Sequence, residues 1–400
     1  AQKIFGCSAN DLTLPQCASL AAITRSPARY DPEKNPDKHT ERRNYVLGAM
    51  LKEHFITQEE HDAAVATPLE TTGAADPKRD AAPTDWFTDL VMEQVTGDLA
   101  AEYHIPRSEA TQLLYNGGLR IYTTVVPCLQ EAMSDTLKSA SVYPRPKETV
   151  IKALTAEDGT PILDDGGDPV LGEVTVRPEA GMVSLNYSGE ICAVAGALGE
   201  KTTSRSYDRA TMAVRQVGST MKPIGAYVLA LQKDQINWST PFMDTPVRKI
   251  KDTATGERKD WPRNFSNTYS EEKILVADAL ARSINTIAVR VGERAGIGNI
   301  YRFTTRELGI TTFLSKDKAV APMVLGASTL GVTPLEMASA YSIFGSGGSY
   351  TAPHCYIALE RGSGKALLVP EHPAKQVVDT DTAYIMNRLL RGVMTGAGTG

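Results

Sequence analysis

Ser219 and Lys222, in the run Gly218-Ser219-Thr220-Met221-Lys222-Pro223, stand three residues apart at the entrance to the apolar stretch 224–231. Three residues make almost one helical turn, so both side chains leave the same face. A serine hydroxyl is a weak nucleophile until a base takes its proton, and a lysine can be that base where desolvation lowers its pKa towards neutrality. The pair has the makings of a nucleophile and its activator.

Spacing alone does not single it out, because Ser270-Glu271-Glu272-Lys273 and Ser315-Lys316-Asp317-Lys318 repeat it. Ser270 precedes two glutamates and then Ile274-Leu275-Val276, which reads as a helix N-cap with acidic first-turn residues. Ser315 lies among charges that favour a solvated loop. Only Ser219 follows a glycine, which permits a sharp turn, and precedes a strongly apolar segment that would carry Lys222 into a low-dielectric interior. The positive end of the helix behind it would favour negative charge near Ser219. Pro223 has no N–H, so an irregular first turn is expected there. The competing reading is a serine N-cap with a lysine on a solvated face.

Ser283-Ile284-Asn285 is a second candidate, although Ser8-Ala9-Asn10 and Ser184-Leu185-Asn186 share its spacing. Residues two apart on one continuous helix point to opposite sides, so Ser283 and Asn285 could share a cleft only if the helix broke between Leu280 and Thr286. Asn285 could then cap a new helix through Ile287, Val291 and Gly292. One unbroken helix with both residues on its solvent side is the alternative.

Composition narrows the classes. The 400 residues suffice for two or three domains, and a net charge of −5 without an Arg/Lys cluster offers no face for nucleic acid. The five cysteines, Cys7, Cys17, Cys128, Cys192 and Cys355, are scattered and odd in number, so they outline neither a disulfide framework nor a zinc site; most are expected as small core residues. No His-Glu-x-x-His arrangement occurs, and no metal or other cofactor is expected. The apolar stretch 224–231 is far short of the roughly 20 residues a membrane helix needs, and Ala1 does not begin a signal peptide.

The elements that must position these residues follow from periodicity. Thr13-Leu14-Pro15-Gln16 opens a helix through residues 17–23, a second runs through 41–47, and Thr57-Gln58-Glu59-Glu60 caps a third. Residues 70–85, polar and rich in Ala, Pro and Asp, read as a linker. Residues 86–104 form a helix, 119–125 alternate as a strand, and Leu129, Met133 and Leu137 mark another helix: a small α/β connector. Residues 144–172 are rich in proline and aspartate. There Asp164-Asp165-Gly166-Gly167-Asp168 lacks the full calcium-loop pattern and reads as an exposed turn. Residues 182–187 and 191–195 make a hairpin, Thr333-Pro334-Leu335-Glu336 starts a helix that Gly345 ends, 355–360 pairs with 366–369, and Asp381 opens a helix carrying Ile385, Leu389 and Val393. Strands on both sides of a helical middle predict an α/β sandwich within an α+β chain.

The order Ser219-x-x-Lys222, then Ser283-x-Asn285, resembles the first two motifs of penicillin-binding proteins and serine β-lactamases. Gly117-Gly118-Leu119-Arg120-Ile121-Tyr122-Thr123-Thr124, Arg215-Gln216-Val217-Gly218-Ser219, Gly331-Val332-Thr333-Pro334-Leu335-Glu336-Met337-Ala338 and Gly396-Ala397-Gly398-Thr399-Gly400 are similar to the bifunctional, class A penicillin-binding proteins. Ser26-Pro27-Ala28-Arg29-Tyr30-Asp31-Pro32 and Arg42-Arg43-Asn44-Tyr45-Val46-Leu47 resemble the end of their glycosyltransferase domain. The implied organisation is the end of a lysozyme-like glycosyltransferase domain at 1–69, a linker region at 70–143, and at 144–400 a penicillin-binding, serine β-lactamase-like sandwich lacking its last strands.

The resemblance implies a peptidoglycan D,D-transpeptidase. Ser219 would attack the penultimate D-alanine carbonyl of a stem peptide with Lys222 as general base, Ser283 would relay a proton to the leaving amine, and Asn285 would hold the substrate amide. The Ser219 backbone N–H would form part of the oxyanion hole, and a β-lactam would acylate the same serine. Implied partners are stem peptides, lipid-linked glycan strands and β-lactams, at the extracytoplasmic face of a bacterial membrane reached through an N-terminal anchor outside this chain. The family's third motif, Lys-Thr-Gly, does not occur in the sequence. The glycosyltransferase glutamates belong upstream of Ala1, so an internal fragment or truncated reading frame with little turnover of its own is expected. A carboxypeptidase, a β-lactam sensor and a non-catalytic cell-wall scaffold are the rival readings; residues 1–140 would have no purpose in a β-lactamase.

Overall fold

The computed structural model describes residues 1–71, 83–139, 148–154, 162–164, 168–176, 178–251, 256–362, 364–395 and 398–399. The chain forms two compact units, Ala1–Ala82 and Pro83–Gly400. Most of the expected linker 70–85 lies outside the described residues.

The first unit is helical: α1 (Gln2–Phe5), α2 (Leu14–Thr24), α3 (Pro36–Lys52) and α4 (Gln58–Ala66). Sequence-local chemistry sets its helix starts, with Gln16 accepting from Thr13 N at 2.9 Å and Thr57 and Glu60 capping each other ahead of α4. Ala18, Leu47 and Ala64 meet in its core.

The second unit opens with α5 (Trp86–Glu102), α6 (Arg107–Asn116), β1 (Leu119–Thr123) and α7 (Pro127–Lys138), followed by a β2 (Glu148–Ala153) and β3 (Leu171–Val176) hairpin. Asp164 and Asp168 are exposed, and Asp168 N donates to Asp164 Oδ1 at 3.0 Å. This is turn geometry; residues 165–167 lie outside the described residues. Next comes the two-stranded hairpin β4 (Met182–Leu185) and β5 (Ile191–Ala195). After the site segment come α8 (Val228–Gln232), β6 (Pro241–Met243), β7 (Arg248–Lys251), β8 (Arg258–Trp261), β9 (Lys273–Leu275), α9 (Val276–Ala281), α10 (Asn285–Ala295), α11 (Ile297–Arg302) and α12 (Val320–Leu325). The chain returns through α13 (Pro334–Gly345), β10 (Ser349–Tyr350), β11 (Tyr356–Arg361), β12 (Ala366–Leu368), β13 (Lys375–Gln376) and α14 (Thr380–Val393).

β11 pairs antiparallel with both β1 and β12, and a bridge between Glu190 and His354 ties this sheet to the β4–β5 hairpin. Two cores result. Trp86, Val95 and Leu99 of α5 pack with Ile191, Ala193, Tyr356 and Leu359 of the strands. The second core is helical and gathers Met221, Ile224, Tyr227, Ile287, Val291 and Val324 around the Ser219 segment.

Several sequence readings are corrected. Ser270 caps no helix. Glu271 takes a left-handed conformation (φ 57°), residues 273–275 pair as β9 with β6, and the helix starts only at Val276. Ser315, Lys316 and Lys318 are exposed, as the solvated-loop reading has them; only Asp317 of this short 3-10 turn is buried, its carboxylate accepting from Leu314 N, Thr329 N and Thr329 Oγ1. α14 starts at Thr380 behind Asp379, two residues earlier in its cap than Asp381 suggests. Of the cysteines only Cys355 is buried; Cys17 and Cys128 are exposed, and Cys7 and Cys192 half-buried.

Candidate active site

The Ser219 segment changes helix type twice. Residues Gly218–Met221 form a 3-10 turn closed by Lys222 N–H on Ser219 O, Pro223–Tyr227 form a π turn closed by Val228 N–H on Pro223 O, and α8 follows. Pro223 is the cause, since without an N–H it cannot make the α-helical bond back to Ser219. Gly218 starts the turn at φ 56°. Gly326, the left-handed cap of α12, lies so close that a Cβ there would meet Gly218 O at 2.3 Å. On the other side Tyr341 of α13 donates its hydroxyl to Thr220 O at 2.6 Å.

This places Ser219 at the surface and Lys222, 1% exposed, inside the helical core. Burial lowers the lysine pKa to about 8. About a tenth of the amine is therefore neutral at pH 7. Nζ donates to Ser283 O at 2.6 Å and to Ser283 Oγ at 2.9 Å. Both bonds go to Ser283 rather than to Ser219.

Ser283 comes within reach because the helix breaks where the Ser-x-Asn reading requires. α9 ends at Ala281; Ser283 N–H bonds Leu280 O at 3.0 Å and Ile284 N–H bonds Ala279 O at 2.9 Å, a Schellman ending with Ser283 left-handed at φ 55°. Glycine is the usual residue there, and a serine with positive φ carries strain. A comparison of Ser283→Gly with Ser283→Ala isolates that strain, since both lack the hydroxyl. The glycine variant is expected to be more stable by about 1 to 2 kcal/mol in urea melts.

Asn285 is the first residue of α10, and the cap position is Ile284, which makes no side-chain cap bond. The expectation that Asn285 itself caps the helix is thus overturned, because its side-chain amide is turned away to Arg263 O at 2.6 Å. The capping oxygen comes from a distant loop: Asn264 Oδ1 accepts from Asn285 N at 3.0 Å and Thr286 N at 3.4 Å. Asn264 Nδ2 donates in turn to Asp244 Oδ1 at 2.8 Å. Asp244, 4% exposed, also accepts from Thr286 Oγ1 at 2.6 Å and from Ser270 N at 3.0 Å. Burial alone would raise its carboxyl pKa, but these bonds outweigh it and hold the group below the usual carboxylate range. Neither Asp244 nor Asn264 is legible as a site residue in sequence, since each lies about 20 residues or more from the motif it serves.

Taken together, the segment presents an exposed hydroxyl, a buried amine of lowered basicity, a second hydroxyl on that amine, and a pinned carboxamide two residues further on. The family described as "Penicillin binding protein transpeptidase domain" matches residues 182–400, and "Transglycosylase" matches residues 1–51. Penicillin-binding protein 1A of Clostridium botulinum (strain Langeland) is 30% identical over 100% of this chain and 46% of its own length. Penicillin-binding protein 1F of Bacillus subtilis (strain 168) is 28% identical over 98% of this chain and 47% of its own. The chain thus spans just under half the length of these relatives. Among solved structures, penicillin-binding protein 1A from Haemophilus influenzae superposes with a TM-score of 0.60 at 22% identity, covering 100% of this chain and 70% of that one. PonA1 from Mycobacterium tuberculosis in complex with penicillin V gives 0.52 at 20% identity, covering 74% and 68%. These likenesses show the same fold. With a transpeptidase domain matched over more than half its length and transglycosylase sequence ahead of it, the chain belongs to the class A penicillin-binding proteins.

Proposed function

We propose that residues 144–400 carry a serine D,D-transpeptidase of peptidoglycan synthesis, with 70–143 as its connecting region and 1–69 as the end of a glycosyltransferase domain. The observation that carries this reading is the buried Lys222 amine, its pKa lowered to about 8, on the Ser283 hydroxyl one helical turn from exposed Ser219. Neutral Lys222 takes the Ser219 proton as Oγ bonds the penultimate D-alanine carbonyl carbon, and the resulting negative charge gathers at the Ser219 backbone N–H. The C–N bond then breaks. Ser283 gives its hydroxyl proton to the departing D-alanine nitrogen and is reprotonated by Lys222. Asn285 holds the peptide amide, and an amine of a neighbouring stem peptide attacks the acyl-enzyme along the reverse path. A β-lactam enters the same sequence and stays on Ser219.

The substrates in this reading are stem peptides on lipid-linked glycan strands, and the site of action is the extracytoplasmic membrane face. No helix among the described residues is long and apolar enough to cross a membrane, so attachment would come from sequence outside them.

Intact-mass spectrometry after incubation with a penicillin tests the reading. It would be run on this chain and on one extended past Gly400. A single drug-sized adduct is expected on the longer chain and is expected to vanish in Ser219→Ala. No adduct on either form would sink the enzyme and leave the scaffold.

A further inference from the structure

Helix α10 begins with Asn285 and has no cap of its own, because Ile284 occupies the cap position. Its first two N–H groups are satisfied by Asn264 Oδ1, more than 20 residues earlier in the chain. The Asn264 carboxamide has no freedom to turn. Its nitrogen donates to Asp244 Oδ1 at 2.8 Å and to Thr268 O at 3.1 Å, so both ends of the group are engaged. Asp244 is itself fixed at the end of β6, its backbone paired with residues 271 and 272 (Asp244 N to Glu272 O 2.9 Å, Glu271 N to Asp244 O 3.1 Å). The carbonyl of the preceding residue, Arg263, receives the Asn285 side chain. One loop therefore pins Asn285 by its backbone and by its amide nitrogen together, which leaves Oδ1 as the acceptor for a substrate N–H.

We propose that Asp244 and Asn264 are positioning residues: Asp244 orients the Asn264 carboxamide, which stands in for the missing helix cap and so fixes the Ser283–Asn285 turn relative to Lys222. The proposal rests on the transpeptidase reading for its catalytic consequence. Its structural part does not.

The hydrogen-bond polarity provides the test. Asp244→Asn sets an N–H donor against a donor whichever way the new amide turns, and Asn264→Asp sets two carboxylates face to face. The double variant reverses the pair: the amide at 244 donates to the carboxylate at 264 and still accepts from Ser270 N, while the carboxylate at 264 still caps Asn285 and Thr286. Thr268 O loses its donor and the Thr286 hydroxyl, which donated to the same Asp244 oxygen at 2.6 Å, loses its acceptor, so recovery is partial.

Hydrogen exchange of the Asn285 and Thr286 amides is measured in the 400-residue chain, and penicillin acylation of Ser219 in the longer one. Each single variant is expected to speed exchange at these two amides at least about tenfold and to slow acylation by roughly 30-fold or more, since a displacement of about 1 Å at a reacting group can cost about 10²-fold. The double variant should regain about tenfold in acylation over the slower single variant. Exchange at Val228 and Leu229 monitors folding of the core, and Asn264→Ala, which adds no charge, serves should a charged single variant unfold. Single variants at wild-type rates, or a double variant no faster than the slower single one, would overturn the proposal. A wild-type chain that never acylates would remove the transpeptidase reading instead, and the two amides would still decide this one.

Discussion

Lys222→Met is expected to slow acylation of Ser219 by roughly 10³-fold, the usual contribution of a positioned general base being about 10² to 10⁴. In the longer chain with Lys222 intact, acylation should rise with pH and level off above about 8, where the buried amine is neutral. The variant should lack that rise. The same group leaves a mark on stability. Folded, the amine loses its proton near pH 8; unfolded, near 10.5. Between these values the unfolded chain holds one more proton, so stability increases with pH. Urea melts should show the wild type gaining about 2 to 3 kcal/mol over Lys222→Met between about pH 7 and pH 10. A flat difference across that range would mean the amine is solvated and cannot be the base.

The second large effect concerns a residue with no chemistry of its own. Gly225 lies in the π turn three residues after Lys222, and a Cβ there would meet the Met323 backbone oxygen at 1.9 Å. α12 must therefore move if Gly225 becomes alanine. Gly292 of α10 gives the same helix a second close contact, since a Cβ at that position would fall 2.3 Å from Val324 Cγ2. Gly225→Ala is expected to cost about 3 kcal/mol, the upper end of ordinary overpacking. Because α12 ends in Gly326 against Gly218, acylation should fall as well. Gly48, in α3, has nothing within 4 Å of the place a Cβ would take, and it supplies the opposite sign. Alanine there should stabilise the first unit by about 0.5 to 1 kcal/mol. Calorimetry on the two variants separates the cases.

How far the sequence can be read depends on the range of the cause. Thr13, Thr57 and Thr333 act within one turn, and the helices they start stand where expected. Pro223 makes the irregular turn at Ser219 legible, because a missing N–H has its effect four residues away. The break before Asn285 can be inferred from geometry, but not its form: nothing local announces a serine with φ 55° or a cap supplied by Asn264. Ser270 misleads for a related reason, since its acidic successors suit a helix start until β6 claims residues 273–275 as a partner strand. The cysteines mislead through composition, because burial is decided by tertiary packing and Cys17 and Cys128 fall on outer faces of their helices.

The pairing of β1 with β11 joins residues that emerge far apart during synthesis, Tyr122 and Glu360 being 238 positions from each other. At about 5 to 20 residues per second, β1 waits roughly 10 to 50 s for its neighbour to leave the ribosome. Contacts of such long range also make folding slow once the chain is complete. Throughout that interval Leu119 and Ile121 sit on an unpaired strand edge, which is a template for association with other chains. Expression of the second unit should therefore depend on translation speed and on chaperones that hold early strands apart, whereas the helical first unit, closed by contacts within its own 82 residues, should not.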